Sequence, residues 1–252
     1  MGGLISSSLT RIKTAVVLFA VFALVSYIDT LFITWLFLGV FMIVGVHEAM
    51  KLFKVEDSSV YQYALITWII AYFYPRPEVL VLVALVIFGS VLAYKRDIDK
   101  KIFMPLLYPL ASFLALLALY NEYGIMVFWW MMFIVASADI GAYYVGRAIG
   151  KTKFCKTSPN KTLEGVAGGI IAAALLGPLF AIPELNYFGA LVISLVVAVA
   201  SIFGDLFESY LKREADVKDS GDILPGHGGV LDRTDGFLFA SIIMLVLLRA
   251  VV

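Results

Sequence analysis

Between Asp205 and Asp235 the chain gathers eight of its 19 acidic residues and four of its bases. The segment runs Gly204-Asp205-Leu206-Phe207-Glu208-Ser209-Tyr210-Leu211-Lys212-Arg213 and, after a charged stretch with Lys218, Asp219 and Asp222, closes on Gly226-His227-Gly228-Gly229-Val230-Leu231-Asp232-Arg233-Thr234-Asp235. On a helix, Asp205 and Glu208 are three apart and share a face, and so are Asp232 and Asp235 if a helix begins there. Carboxylate pairs of this kind are hard oxygen ligands suited to Mg²⁺. The interleaved Lys and Arg suit phosphate oxygens, Lys as a point charge and Arg as a fork. Gly226, Gly228 and Gly229 allow a positive φ or close approach of the backbone to a ligand. Taken alone, Gly-His-Gly-Gly is only a turn.

A second segment runs from Asp139 through Gly141, Ala142, Gly146, Arg147 and Gly150 to Lys151, followed by Ser158-Pro159-Asn160-Lys161-Thr162-Leu163-Glu164-Gly165. Small residues about four apart suit close helix packing in lipid. Arg147, Lys151 and Lys161 form a basic cluster that would attract anionic headgroups, and Ser158 and Thr162 add hydroxyls near a helix start. Asp139 and Asp205 are embedded in apolar runs, where a carboxylate costs roughly 2.5–3.5 kcal/mol at the membrane centre and marks a functional position. His47 and Glu48 end an apolar run and read as a structural pair at the membrane interface. The lone cysteine, Cys155, excludes an internal disulfide and carries no further role.

The elements that must hold these residues follow from composition. Of 252 residues, 62% are hydrophobic, 15% are charged and the mean hydropathy is +0.96. That excludes a water-soluble globular fold, which carries about a quarter charged residues, and the 14% aromatics exclude disorder, coiled coil and collagen. Equal totals of 19 basic and 19 acidic residues argue against a nucleic-acid binder. A bilayer-spanning helix takes about 20 apolar residues. The chain offers nine such stretches: 11–28, 30–50, 59–75, 78–94, 102–120, 125–147, 165–182, 187–208 and 236–252. The reading is therefore an all-α, polytopic membrane protein with about nine spans. Residues 1–120 form a first group of about five spans. Residues 121–252 form a second, catalytic region with motif loops 148–164 and 209–235. The polar lead Met1 to Thr10 reads as the start of an uncleaved first span.

Seventeen of the 19 Lys and Arg fall in the amino-terminal lead and the even-numbered loops, leaving only Arg76 and Arg249. By the positive-inside rule this places the amino terminus and both motif loops in the cytoplasm and the carboxyl terminus outside. The expected location is the inner (plasma) membrane of the cell.

The run Ser209-x-Leu211-Lys212-Arg213-x₄-Lys218-Asp219-x-Gly221-x₂-Leu224-Pro225-x-His227-Gly228-Gly229-Val230-x-Asp232-Arg233-Thr234-Asp235 resembles the signature of the CDP-diacylglycerol synthases, or phosphatidate cytidylyltransferases. All fixed positions of that 27-residue pattern are filled. The Asp139–Lys151 and Ser158–Gly165 blocks are similar to other blocks of the family, so the motif-bearing resemblance covers about 135–240. It implies a membrane enzyme that makes CDP-diacylglycerol and pyrophosphate from CTP and phosphatidate, in a polar cavity open to the cytoplasm and in a homodimer. It also implies Mg²⁺, paired with K⁺. Carried over by motif position, Asp205 and Asp232 are the first metal ligands, followed by Asp235 and Asp219. Lys212, Arg213, Lys218 and Arg233 are candidates for triphosphate contacts, and Arg147, Lys151 and Lys161 for lipid phosphate or nucleotide. Asp139, Ser158, Thr162, Ser209, His227 and Gly228 complete the expected substrate-binding set. Two other readings remain at this point. One is a CTP-dependent enzyme with another lipid acceptor, an isoprenoid ether lipid or a polyprenol or phytol alcohol. The other is an ion-coupled transporter built on Asp139 and Asp205, although paired interrupted spans are lacking.

Overall fold

The computed structural model describes residues 2–252, with side chains described from Thr10 onward; Met1, the first residue of the polar lead, lies outside them. Among the described residues the regular elements are helical: α1 (Gly2–Ile28), α2 (Leu31–Leu52), α3 (Ser59–Phe73), α4 (Leu80–Tyr94), α5 (Ala111–Tyr123), α6 (Met126–Ile149), α7 (Leu163–Leu176), α8 (Tyr187–Glu214) and α9 (Leu231–Val251). Among the described residues, eight helical segments are long and apolar enough to cross a membrane, and α3 is a shorter apolar helix beside them. The difference lies in the third stretch, expected over 59–75. Its 15-residue helix is about 22 Å long at ~1.5 Å per residue, short of a hydrocarbon core of about 30 Å. The segment expected at 102–120 runs from Lys100 to Tyr123 and is broken by a non-helical Tyr108 ahead of Pro109.

The punctuation expected from the sequence is where the helices stop. Asp29 adopts a positive φ of 43° between α1 and α2, and Gly124 one of 68° between α5 and α6. Pro75-Arg76-Pro77 separates α3 from the turn that leads into α4.

The chain folds as two compact units, Met1–Ala118 with Glu214–Arg233, and Leu119–Arg213 with Thr234–Val252. Most of the 209–235 loop belongs with the first unit. In that unit α2 packs on α3 through aromatic side chains. Trp35 stacks on Trp68 at 6.4 Å and donates its indole N–H to the Trp68 carbonyl at 2.9 Å. Helix α4 buries only Leu80, as expected of a helix whose other faces meet lipid rather than water.

In the second unit, α6 and α7 are in backbone contact. Gly165 lies against the Ala142 carbonyl and Gly146, Gly169 against Ala138 and Ala142, and Gly141 against Gly168, Gly169 and Ala172. This is the small-residue packing expected from the spacing of Gly141, Ala142 and Gly146. In lipid, where apolar contact alone gives no preference for another helix, such close approach is what holds two helices together. Trp130 on α6, fully buried, donates to Ser194 on α8 at 3.1 Å.

Candidate functional site

In the second unit, helix α7 starts where its sequence says it should. Thr162 is its N-cap, in extended backbone, and its hydroxyl accepts the Gly165 N–H at 3.1 Å. Two residues on, the Glu164 carboxylate accepts the backbone N–H of Lys151 at 3.1 Å and the N–H and hydroxyl of Thr152 at 3.2 and 2.9 Å. An acid in the first turn of a helix sits well with its dipole. Here it also ties down the chain leaving α6. An isolated antiparallel bridge between Lys153 and Thr162 completes the closure of the 150–162 loop.

That loop roofs a cavity of about 520 Å³ lined by Asp139, Tyr143, Gly146 and Arg147 of α6, by Ser158, Asn160 and Lys161 of the loop, and by Thr162, Gly165 and Ile202. Such a volume falls within the roughly 300–1,000 Å³ of small-molecule sites. Five residues expected from the sequence, Asp139, Arg147, Ser158, Lys161 and Thr162, therefore meet in one place. Gly146 and Gly165 also line it, and having no side chains they let α6 and α7 approach closely. Arg147 donates from Nη1 to the Tyr143 hydroxyl at 2.9 Å.

Lys161 reaches from the cavity to Asp205 on α8 and forms an ion pair with it, both side chains about one-third exposed. Asp235 on α9 lies within electrostatic range of Asp205, and its Oδ1 accepts the Gly236 N–H at 2.7 Å. Glu208, fully buried, is paired with Lys212 at 3.4 Å. Gly204 permits this approach: its Cα faces the Asp235 carbonyl and Phe239. Of the other residues expected here, Ser209 is half-buried on α8, and Arg213 and the side chain of Lys151 are exposed.

Among the described residues, no three His, Cys, Asp or Glu side chains are grouped closely enough to hold a metal by themselves. Two carboxylates, Asp205 and Asp235, with Lys161 paired to the first of them, are ligands of the kind that Mg²⁺ takes. That ion usually keeps several waters and binds through one or two carboxylates plus substrate phosphates.

In the first unit, the signature loop folds around two carboxylates. Asp232 Oδ2 accepts the N–H of Ser220 and of Gly229, each at 2.8 Å, and the Ser220 hydroxyl at 2.9 Å. Arg233 donates from Nε and Nη2 to the His227 carbonyl at 3.0 and 2.9 Å. Gly226 and Gly228 take the positive φ expected of them, 75° and 86°. Gly229 instead is needed for close approach, since a Cβ there would meet Ser220 and Glu48. Lys218 and Asp219 are exposed on this loop, and His227 is half-buried.

Glu48 was read as half of a structural pair at the membrane interface. Its neighbour His47 does hydrogen-bond Tyr61 on α3. Glu48 itself is fully buried and accepts the backbone N–H of Val230 at 2.9 Å and of Leu231 at 2.8 Å. It therefore caps α9 from another helix, and α9 begins at Leu231 rather than at 236 as the apolar pattern suggested. The available signal was a carboxylate inside the last turns of an apolar span, where burial without donors would be too costly. Its donors, from residues more than 170 positions away, could not be read from spacing.

A polytopic helical protein with a cavity of lysine, arginine, hydroxyl and carboxylate groups belongs to the class of membrane enzymes that handle phosphorylated substrates. A model of the cytidylyltransferase family matches residues 9–251, and the chain belongs to that family. It is similar to proteins named phosphatidate cytidylyltransferase from several bacteria. With that of Helicobacter pylori strain J99 it shares 42% identity over 242 residues, 95% of this chain and 91% of the relative. With that of Bacillus subtilis strain 168 it shares 46% over 132 residues, 51% and 49% of the two chains. With that of Mycobacterium leprae it shares 39% over 160 residues, 62% and 51% of the two.

Proposed function

We infer that the chain is a phosphatidate cytidylyltransferase: it transfers the cytidylyl group of CTP to phosphatidate, giving CDP-diacylglycerol and pyrophosphate for phospholipid synthesis. It is a multi-pass protein of the bacterial inner membrane. The observation that carries this reading is the cavity under the 150–162 loop, with Lys161 and Arg147 beside hydroxyl and carboxylate groups, in a chain of this family. The proteins compared above bear neither a kinase nor a transporter name, so those two readings gain nothing.

Two polyanions must meet for this reaction. A phosphatidate oxygen attacks the α-phosphorus of CTP, a new P–O bond forms, and the bond to pyrophosphate breaks. The lipid phosphate brings its own nucleophile, so no protein nucleophile is needed. Positioning and charge neutralisation are the work left to the protein. Lys161 and Asp205 neutralise one another before substrate arrives. An incoming phosphate replaces Asp205 as the partner of Lys161 and leaves the carboxylate facing Asp235. Those two carboxylates, with Asp232 added by the family signature, are proposed to hold Mg²⁺, with K⁺ as a second ion. When bound, Mg²⁺ would neutralise the triphosphate and stabilise departing pyrophosphate. Arg147 and Lys161 hold phosphate, and Ser158, Asn160 and Thr162 supply polar contacts in the same cavity. Asp139 adds an acceptor suited to a hydroxyl or amino group of the nucleotide. Lys212, Arg213, Lys218 and Arg233 remain proposed triphosphate contacts. The 17-to-2 distribution of bases supports a cytoplasmic amino terminus and motif loops with an external carboxyl terminus. A homodimer is proposed from the family resemblance.

The test is direct. Purified protein in detergent with Mg²⁺, CTP and phosphatidate is expected to release pyrophosphate and form CDP-diacylglycerol. Release of CDP instead would identify a kinase, and no release would sink the reading. Cysteine labelling from each side of the membrane tests the orientation, and mass measurement in detergent the dimer.

A further inference from the structure

We propose that Glu48, which lies in none of the family motifs, is a positioning residue for the reaction and acts through Asp232. The assignment rests on the cytidylyltransferase reading and on Asp232 serving the site. Both carboxylates belong to the first unit and are joined through Ser220. The buried Ser220 hydroxyl lies 3.1 Å from Glu48 Oε2 and 2.9 Å from Asp232 Oδ2. It has one hydrogen and donates to one carboxylate at a time. Backbone donors join it on both sides. Glu48 takes Val230 and Leu231 N–H, and Asp232 takes Ser220 and Gly229 N–H. Together the two carboxylates pin both ends of the 220–231 loop, and α9 starts from the end that Glu48 holds.

The fit leaves no slack around Glu48. A Cβ on Gly229 would stand 2.6 Å from both its oxygens, and one on Gly221 2.6 Å from Oε1. The Glu48 anchor lies on α2, outside the loop it fixes, so the direction in which Asp232 presents its carboxylate depends on a residue remote in sequence. Groups that orient a ligating carboxylate in this way matter because misplacement of the ligand is felt at the reacting atoms.

The experiment compares E48Q, S220A and the double variant with wild type, using pyrophosphate release per folded protein at temperatures below every melting point. Gln keeps the volume but turns an N–H donor toward a backbone N–H, leaving that pair unmatched. E48Q is expected to lower kcat by roughly 10–100-fold with KM for CTP unchanged. S220A is expected to lower kcat several-fold, also without a change in KM. Because both act through one carboxylate, the double variant should lose no more than E48Q alone. Wild-type kcat in both single variants, or losses that multiply in the double, would overturn the assignment. A loss confined to the folded fraction, with normal turnover per folded molecule, would overturn it equally, as a purely structural role. If E48Q does not fold, S220A decides alone: reduced kcat supports the assignment and wild-type kcat overturns it. Absence of pyrophosphate release by wild type would instead overturn the underlying function, and this assignment with it.

Discussion

Replacing Gly165 by Ala tests whether the backbone contact between α6 and α7 sets the shape of the cavity. A Cβ at Gly165 would lie 2.8 Å from the Ala142 carbonyl oxygen, 3.0 Å from Thr162 Oγ1 and 3.1 Å from the Gly146 Cα. A relaxed carbon-to-oxygen contact is about 3.3 Å, so α7 must retreat by roughly half an ångström. Two of the three obstacles are backbone and cannot rotate away. Overpacking of this kind costs about 1–3 kcal/mol, offset in part by the ~0.8–1.0 kcal/mol that Ala gains over Gly within a helix. Gly89 on α4 provides the control, since a Cβ there meets nothing within 4 Å and only the propensity gain applies. The two Gly→Ala variants should therefore differ by about 1–3 kcal/mol. At about 2–4 °C per kcal/mol for a chain of this size, that is a gap of roughly 2–12 °C in detergent melting temperature. Since an ångström of misplacement can cost about 10²-fold in rate, half that should lower pyrophosphate release in G165A by an order of magnitude while G89A is unaffected. Equal melting temperatures and equal turnover for the two variants would refute the idea that contact at Gly165 shapes the site.

Further expectations concern the polar groups around that contact. Asp205→Asn is expected to abolish turnover with folding intact, and Lys161→Met to lower kcat/KM by about 10²–10³-fold, as for loss of one preorganised charge contact; full activity in either variant removes its assignment. Thr162→Ala removes the N-cap of α7 and should cost ~0.5–2 kcal/mol, whereas Ser should retain most of it; the comparison of melting temperatures decides, and indistinguishable Ala and Ser variants would refute the cap. The Ser59 backbone N–H, 2.8 Å from Asp57, holds that exposed carboxyl below its ordinary pKa. A depressed folded-state pKa gives stabilisation that is present above the usual aspartate range and is lost as pH falls through the folded value. Asp57→Ala should therefore narrow the stability difference from wild type under acid, and a difference independent of pH would contradict this.

The number of spans and their punctuation were legible because lipid imposes a simple rule: long apolar runs, interrupted where backbone must turn. The rule weakens at the ends of helices. Residues 232–235 are polar, so the hydropathy pattern starts the last span at 236, yet α9 begins at Leu231. The first turn of a helix needs acceptors for its free N–H groups rather than an apolar face. Glu48 supplies them from α2, and a local pattern contains no trace of that. The third stretch begins at Ser59 as expected and ends two residues early, for the opposite reason. Tyr74 and Pro75 continue its apolar character, but Pro75 ends the helix by restricting the residue before it, and α3 stops at Phe73.

The site was legible in proportion to how local its logic is. Ser158, Lys161, Thr162 and Gly165 sit within one loop and helix start, and they line one cavity with Asp139, Arg147 and Gly146 one helix away. The helix start, the small-residue packing and the basic cluster could be read from spacing because each needs only a few neighbouring residues. Lys161 and Asp205 were assigned separately, one to phosphate and one to metal, and they pair. That pairing sharpens both roles. On the proposed function, a lysine held by a carboxylate until phosphate displaces it would already be in place when substrate arrives. A carboxylate kept company by that lysine would be spared repulsion from its neighbour Asp235 until a cation arrives. Charges that look redundant when counted along the chain thus become a resting pair, each holding the other's place for a substrate of opposite sign.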